Sequence, residues 1–145
     1  MQREQLTSRG LRYARVVVHE SRIVELFATK PKRERLLFLA GKATRRSDFV
    51  AALLHDTRNL ARALLAPVDG GESDLAALVK KLRATAKARA HCISAIGELD
   101  GRDLPLGEAL AACVGRQQDT LVFAIDSERA YYENHEGERG VLASR

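Results

Sequence analysis

Hydrophobic and polar positions in the first half of the chain alternate with the period of an α-helix. Apolar residues recur every three or four positions in 29–41 and again in 44–54, which predicts two amphipathic helices. Thr29 can cap the first helix, Pro31 lies in its first turn, and Gly41 follows its last turn. These are the positions that such residue types favour, so we predict a pair of helices here.

Residues 11–28 fit two interpretations. The run Val16–Val18 favours a strand, because β-branched side chains suit a pleated surface. No glycine, proline or asparagine separates this run from the apolar residues at 23–27, as a hairpin would require. A helix is therefore the preferred interpretation. A weaker helical pattern over 60–65 continues up to Pro67.

The second half of the chain alternates short strands with helices. Residues 68–73 are rich in glycine and acidic residues, as is typical of a linker, and Ser73 can cap the next helix. A further helix opens at Pro105 and ends before Gly115. Strands are predicted over 91–96, 120–125 and 130–133, and Val141 with Leu142 can add a short pairing at the sheet edge.

These elements predict an α+β fold, in which an N-terminal helical part is followed by an α-β-α-β-β unit with a small sheet packed on helices. The length of 145 residues is that of one domain. Within residues 1–145 we expect a flexible arm, a mostly helical basic part, a linker and an α/β part. Their bounds are 1–10, 11–67, 68–73 and 74–145.

Charge is segregated along the chain. The total is +5, but residues 1–47 carry +8 and residues 80–90 carry +5, whereas residues 48–79 carry −3 and residues 91–145 carry −5. The sequence therefore predicts a basic helical part joined to an acidic sheet part.

The two basic runs are the candidate surface for a polyanion or for an acidic protein partner. The same charges are also typical of a solvated face. Phe38 lies in an apolar run and is expected in the core, so stacking on nucleic-acid bases is weakly supported. A DNA-reading helix-turn-helix across Gly41 has compatible spacing, but helix pairs with short turns are common packing units. The candidate residues are Lys30, Lys32, Arg33, Arg35, Lys42, Arg45, Arg46, Lys80, Lys81, Arg83, Lys87 and Arg89.

The sequence carries no catalytic or metal-binding signature. The dipeptide His55-Asp56 resembles that of metal-dependent phosphohydrolases of the HD type, but their fold is all helical, which conflicts with the second half. Cys92 and Cys113 lack metal-ligand spacing and lie among apolar residues, which predicts buried, unreactive thiols. We therefore predict no catalytic residue, no cofactor and no metal site.

Two further groups of polar residues are interpreted structurally. His91 and Cys92 are neighbours in a predicted strand, so their side chains point to opposite faces and cannot act together as base and nucleophile. Four carboxylates cluster around a turn and a helix start, where acidic residues interact favourably with the helix dipole, so structural capping is favoured over a metal site. They are Glu98, Asp100, Asp103 and Glu108.

Tyr131 and Tyr132 form a candidate anchor for a partner. Successive residues of a strand face opposite sides of a sheet, so one ring is expected in the core and the other in solvent. An exposed tyrosine among acidic residues suits a binding hot spot, although a cross-strand aromatic pair is the alternative.

The run Cys92-Ile93-Ser94, the segment Glu98–Leu110 and the run Ala130–Glu133 together resemble the C-terminal half of a family of small uncharacterised bacterial proteins. The resemblance covers about 45 residues and implies a bacterial, cytoplasmic protein; it implies no catalytic residue. The polar N-terminal residues and the lack of a long apolar run lead to the same expectation of a cytoplasmic protein without a membrane span.

These observations favour a non-enzymatic interaction module that binds a protein partner, or a second copy of itself, through a charge-polarised surface. Sequence-nonspecific binding of nucleic acid through the basic helices is the first alternative. An enzyme with an unrecognised site is the second, because catalytic groups can come from positions distant in sequence.

Overall fold

The computed structural model describes residues 8–55, 57–68 and 74–144, with side chains from residue 16 onward. In this described part, five α-helices and six strands form an α+β fold, as predicted. The helices are α1 (Ser8–Phe27), α2 (Lys30–Ala40), α3 (Arg46–Leu54), α4 (Leu75–Lys81) and α5 (Leu106–Cys113). The strands are β1 (Leu65–Pro67), β2 (Arg89–Ser94), β3 (Asp103–Pro105), β4 (Thr120–Ala124), β5 (Arg129–Glu133) and β6 (Arg139–Ala143).

The first helices follow the sequence pattern. Residues 11–27 belong to α1, which confirms the preferred helical interpretation. Thr29 has the extended backbone of an N-cap, with φ −64° and ψ 142°, but its side chain makes no capping hydrogen bond. Helix α2 ends at Gly41, whose N–H donates to the carbonyl of Leu37. The predicted start and end of α2 are therefore confirmed.

All strand pairs in the described sheet are antiparallel, in the order β1-β6-β5-β4-β2-β3. The short edge pairing expected at Val141 and Leu142 is instead the inner strand β6, which lies between β1 and β5. The sheet edge on that side is β1, where a helical continuation was expected. Pro67 explains this difference, because proline lacks an N–H and is tolerated in edge strands.

Helices cover both faces of the sheet. Helices α1, α2 and α3 pack with Ile93, Leu121 and Phe123 on one face. Helices α4 and α5 pack with Cys92 and Val122 on the other face. Because successive side chains of a strand point to opposite faces, almost every position of the central strands β2, β4 and β5 is buried.

Two further differences concern the starts of helices. The cap of α4 is Asp74, whose side chain accepts from the N–H groups of Ala76 and Ala77. The predicted cap Ser73, like the rest of 69–73 in the proposed linker, lies outside the described residues. In the proposed arm, Ser8–Gly10 already belongs to α1, and residues 1–7 are outside the described part.

The position of Phe38 differs most from the expectation. Its ring is 50% exposed on the outer side of α2, although the apolar run Leu36–Leu39 predicted a core position. Leu36 and Leu39 fill the buried positions of that run. A helix that packs on one side only cannot bury four consecutive residues, and Phe38 falls on its solvent side.

No helix among the described residues combines the length and the apolar character needed to cross a membrane.

Candidate functional site

The two predicted basic runs lie on different layers of the structure. The first run belongs to α2 and the turn after it, and the second belongs to α4 and the loop before β2. Helix α2 packs on one face of the sheet and α4 on the other. The twelve candidate residues therefore do not form one continuous surface.

Three arginines of the first run are engaged within the protein. Arg33 Nε donates to the carbonyl of Ala28 at 3.2 Å, and Arg45 Nε donates to Asp48 Oδ2 at 2.5 Å. Arg46 turns inward and is discussed below. The exposed cations of the run are Lys30, Lys32, Arg35 and Lys42. The exposed residues of the second run are Lys80, Lys81, Arg83, Lys87 and Arg89.

Two exposed cations, Arg35 of α2 and Lys42 just after it, lie close to the Phe38 ring. The Arg35 guanidinium carbon lies 5.8 Å from the centroid of the Phe38 ring, and Lys42 Nζ lies 5.6 Å from it. Both distances are within the range of cation–π attraction. We call the exposed side chains Lys30, Lys32, Arg35, Phe38 and Lys42 the α2 surface. Protein interfaces are enriched in aromatic residues and have a polar rim, so an exposed ring beside cations suits a binding surface.

Tyr131 and Tyr132 are both fully buried, so neither can anchor a partner at the surface. The expectation that one ring faces solvent was wrong because helices cover both faces of the sheet. Tyr131 O–H donates to Glu133 Oε1 at 2.5 Å, and Tyr132 O–H donates to the carbonyl of Leu54 at 2.8 Å. Tyr132 therefore joins β5 to the end of α3, whereas this contact of Tyr131 lies within β5.

A buried ionic network connects α1, α3 and the sheet. It comprises Glu20, Arg46, His91, Asp100 and Asp103. The Arg46 guanidinium forms a bidentate contact with the Glu20 carboxylate. It forms a second bidentate contact with Asp100, with N–O distances of 2.6 and 2.7 Å. Asp100 Oδ1 also accepts from the backbone N–H of Ser94 at 2.9 Å. Glu20 and His91 are completely buried.

His91 lies between two carboxylates. Its Nε2 is 2.7 Å from Glu20 Oε2, and its Nδ1 is 2.6 Å from Asp103 Oδ1. A neutral imidazole carries only one N–H, so the ring donates in both contacts only as an imidazolium. Both ring nitrogens are thus occupied within the protein. This arrangement suits a structural tie and leaves His91 no free nitrogen for proton transfer to a substrate.

The pKa values of the two neighbouring histidines move in opposite directions. Burial alone lowers the pKa of His91, but hydrogen bonds and attraction from Glu20 and Asp103 outweigh it and raise the pKa above the ordinary 6.5. Burial and the nearby His91 lower the pKa of His19, whose Nε2 lies 3.7 Å from Asp103 Oδ2. The ring centroids of the two histidines are 5.3 Å apart.

We expect the stability of the protein to decrease as pH rises above 6.5, because the pKa of His91 is raised on folding. A group whose pKa is raised on folding contributes fully below its unfolded pKa, and the contribution is lost as pH rises through the folded pKa. The pH dependence due to His19 has the opposite sign, because its contribution to stability is lost as pH falls below 6.5.

Burial raises the pKa of the Cys92 thiol to about 12. This destabilises the fold only where the thiols of the unfolded chain ionise, above about pH 8.

Urea unfolding between pH 6.0 and 8.0 measures this dependence. The wild-type protein should lose stability as pH rises above 6.5, whereas His91→Gln should be less stable and should not show this loss. An NMR titration of the His91 ring should give a pKa above 6.5. Parallel pH profiles for the two proteins would refute the assignment.

A second polar cluster brings together His55, Asp119 and His135. His135 Nδ1 lies 2.9 Å from Asp119 Oδ1, and His55 Nδ1 lies 3.9 Å from Asp119 Oδ2. The two imidazole rings are stacked, with centroids 4.6 Å apart. The three residues come from the end of α3, the loop before β4 and the turn between β5 and β6. Asp56, the other residue of the His55-Asp56 dipeptide, is outside the described residues.

A cleft of about 350 Å³ lies between the start of α3 and the loop joining β2 to β3. Ser47, Ser94, Asp100 and Asp119 contribute to its walls. Asp100 belongs to the buried ionic network and Asp119 to the histidine cluster, so the cleft separates the two polar clusters.

Sequence reasoning missed both clusters, but one signal was present. Glu20 occupies the same helical stripe as Ile23, Val24 and Phe27, and an acidic residue on an apolar stripe needs a buried partner. The expected opposite orientation of His91 and Cys92 is confirmed, since His91 contacts α1 and Cys92 packs in the core with α4 and α5. His55, Asp119 and His135 are too far apart in sequence to form a recognisable motif.

Comparison of the chain with protein-family models, with curated proteins and with solved structures gave no match. The resemblance to a bacterial family therefore stays a prediction, and the function is argued from geometry.

Proposed function

We propose that the protein is a non-enzymatic interaction module that binds an acidic protein partner through the α2 surface. The exposed ring of Phe38, between the cations of Arg35 and Lys42, carries the proposal. An aromatic ring half in water contributes binding energy when a partner desolvates it, and the surrounding cations select acidic partners.

The catalytic alternative has less support among the described residues. Both ring nitrogens of His91 are occupied by carboxylates, and the two cysteines are buried, with burial raising their thiol pKa values. A buried thiol with a raised pKa is a poor nucleophile at neutral pH.

A protein partner suits the α2 surface better than a nucleic acid. Binding of a phosphate backbone gains from many cations aligned along a groove, whereas the basic residues of α2 and α4 lie on opposite layers. Glu34 is also exposed on α2, and a carboxylate there repels phosphate. Val18 of α1, 67% exposed, is a second apolar side chain on the layer that contains α2.

A displayed library of random 12-residue peptides tests this proposal, with selection on the wild-type protein and counter-selection on Phe38→Ala. Enriched peptides should combine Asp or Glu with one large apolar residue. A synthetic peptide with the enriched sequence, measured by fluorescence anisotropy, should bind Phe38→Ala at least tenfold more weakly. Because Phe38 is half exposed, this variant should keep its fold, which circular dichroism checks.

Charge reversal provides a matched comparison. Arg35→Glu/Lys42→Glu should abolish binding of the peptide, whereas Lys80→Glu/Lys81→Glu, with the same change in net charge on the other layer, should alter it less than twofold. Equal losses in both double variants would contradict the proposal. So would tighter binding of duplex DNA with a linear log–log salt dependence, which indicates phosphate contacts. Concentration-dependent sedimentation abolished by Phe38→Ala would identify a second copy as the occupant instead.

A further inference from the structure

We propose that His55, Asp119 and His135 bind a divalent transition-metal ion, with Zn²⁺ as the expected ion. The proposal rests on the geometry of the cluster. Each residue offers one ligand atom, and these atoms all lie within 4.8 Å of one another. Two imidazoles and one carboxylate are the donor set of many zinc sites with three protein ligands.

The separation of the ligand atoms suits a small ion. Ligand atoms about 2.0–2.2 Å from a tetrahedral zinc lie roughly 3.3–3.5 Å from each other. The contacts of the two histidines with Asp119, at 2.9 and 3.9 Å, lie on either side of that separation. Rotation of exposed side chains is enough to equalise them, since His55 is 65% exposed and His135 41% exposed.

The carboxylate is held in place by the backbone around it. Asp119 is only 13% exposed, and its Oδ1 accepts from the N–H of His135 at 2.9 Å. The carbonyl of Asp119 accepts from the N–H of Ala95 at 2.8 Å. Because the carboxylate is already oriented, only the two imidazoles have to be ordered when an ion binds. This reduces the entropic cost of binding.

The arrangement differs from an ordinary surface ion pair. One histidine is enough to pair with one carboxylate, but here two imidazoles stack and approach different oxygens of the same carboxylate. Two imidazoles beside one carboxylate can share a bound cation through their nitrogen lone pairs.

The donor set also selects among ions. Imidazole nitrogens favour Zn²⁺, Co²⁺, Ni²⁺ and Cu²⁺, while Mg²⁺ and Ca²⁺ prefer oxygen ligands. Three protein ligands leave a fourth position for water, and Asp119 also contributes to the wall of the adjacent cleft. A bound ion would also join the end of α3 to the two loops that carry Asp119 and His135.

Titration of the untagged, chelator-treated protein with ZnCl₂ or CoCl₂ alone tests the site. Calorimetry should show one Zn²⁺ per chain with micromolar or tighter affinity, and bound Co²⁺ should give visible absorption bands of a tetrahedral complex. Zn²⁺ should raise the melting temperature by several degrees, and MgCl₂ at the same concentration should not. Each of His55→Ala, Asp119→Asn and His135→Ala should weaken Zn²⁺ binding at least tenfold.

Two variants outside the cluster serve as controls. His19→Gln removes a histidine, and Asp126→Asn removes an exposed carboxylate; both should bind Zn²⁺ as the wild type does. Absence of binding at 100 μM Zn²⁺, or equal weakening in the control and cluster variants, would overturn the proposal. The metal site is separate from the α2 surface. His55→Ala should therefore leave peptide binding unchanged and Phe38→Ala should leave Zn²⁺ binding unchanged, so that each proposal can fail without the other.

Discussion

Replacing Glu20 with alanine should lower the free energy of unfolding by about 3–5 kcal/mol, the usual loss when one partner of a buried ion pair is removed. Glu20 is fully buried and contacts both Arg46 and His91. Without the Glu20 carboxylate, Arg46 keeps only Asp100 as an anionic partner within this network, and His91 keeps only Asp103. Urea unfolding followed by circular dichroism measures the change.

The size of this effect follows from the position of Glu20 in the fold. It joins α1 to α3 through Arg46 and α1 to β2 through His91. A domain of this length is typically stable by only 5–15 kcal/mol, so the expected loss is a large fraction of the total.

Two further variants separate charge from packing. Glu20→Gln keeps the volume of the side chain but presents an NH₂ group to donors, so it should be almost as destabilising as alanine. Glu25→Ala, on the same helix, removes an exposed carboxylate paired with Arg22 and should cost less than about 1 kcal/mol. If Glu20→Gln were nearly neutral, packing rather than charge would explain the role of Glu20.

Local patterns predicted the elements whose signals are contained within a few residues. The helical period, Pro31 and Gly41 predicted α2, and the apolar run at 120–125 predicted β4. The short strands at the two edges of the sheet were harder to predict. Strands β1 and β3 have three residues each, and such strands exist because a neighbouring strand pairs with them, which no local pattern records.

The polar clusters could not be predicted because they depend on how the layers pack. Glu20 and His91 are 71 positions apart in sequence, yet their side chains lie 2.7 Å apart. The exposure of Phe38 and the burial of Tyr131 have the same origin. Each depends on whether a second layer covers the face that carries the residue, and one strand or helix does not specify this.

Glu133 occupies a second buried site in which the loss of a carboxylate should have a large effect. It is fully buried, and its carboxylate accepts from the N–H groups of Gly115 and Gln117 at 2.9 and 2.6 Å and from the Tyr131 O–H. The Arg139 Nε lies 3.4 Å from the same carboxylate. Glu133 therefore fixes the loop between α5 and β4 on the sheet.

We expect Glu133→Ala to destabilise the protein by about 3–5 kcal/mol, because Arg139 loses its carboxylate and buried donors lose their acceptor. Gln117 of this loop has φ 54°, a conformation that a non-glycine residue keeps only when its surroundings impose it, and the hydrogen bond from its N–H to Glu133 is one of the contacts that do so. Urea unfolding gives the loss, and hydrogen exchange should show faster exchange of the Gly115 and Gln117 amides. Glu108→Ala, which removes an exposed carboxylate from α5, should cost at most about 1 kcal/mol. Equal losses in the two variants would show that Glu133 does not organise the loop.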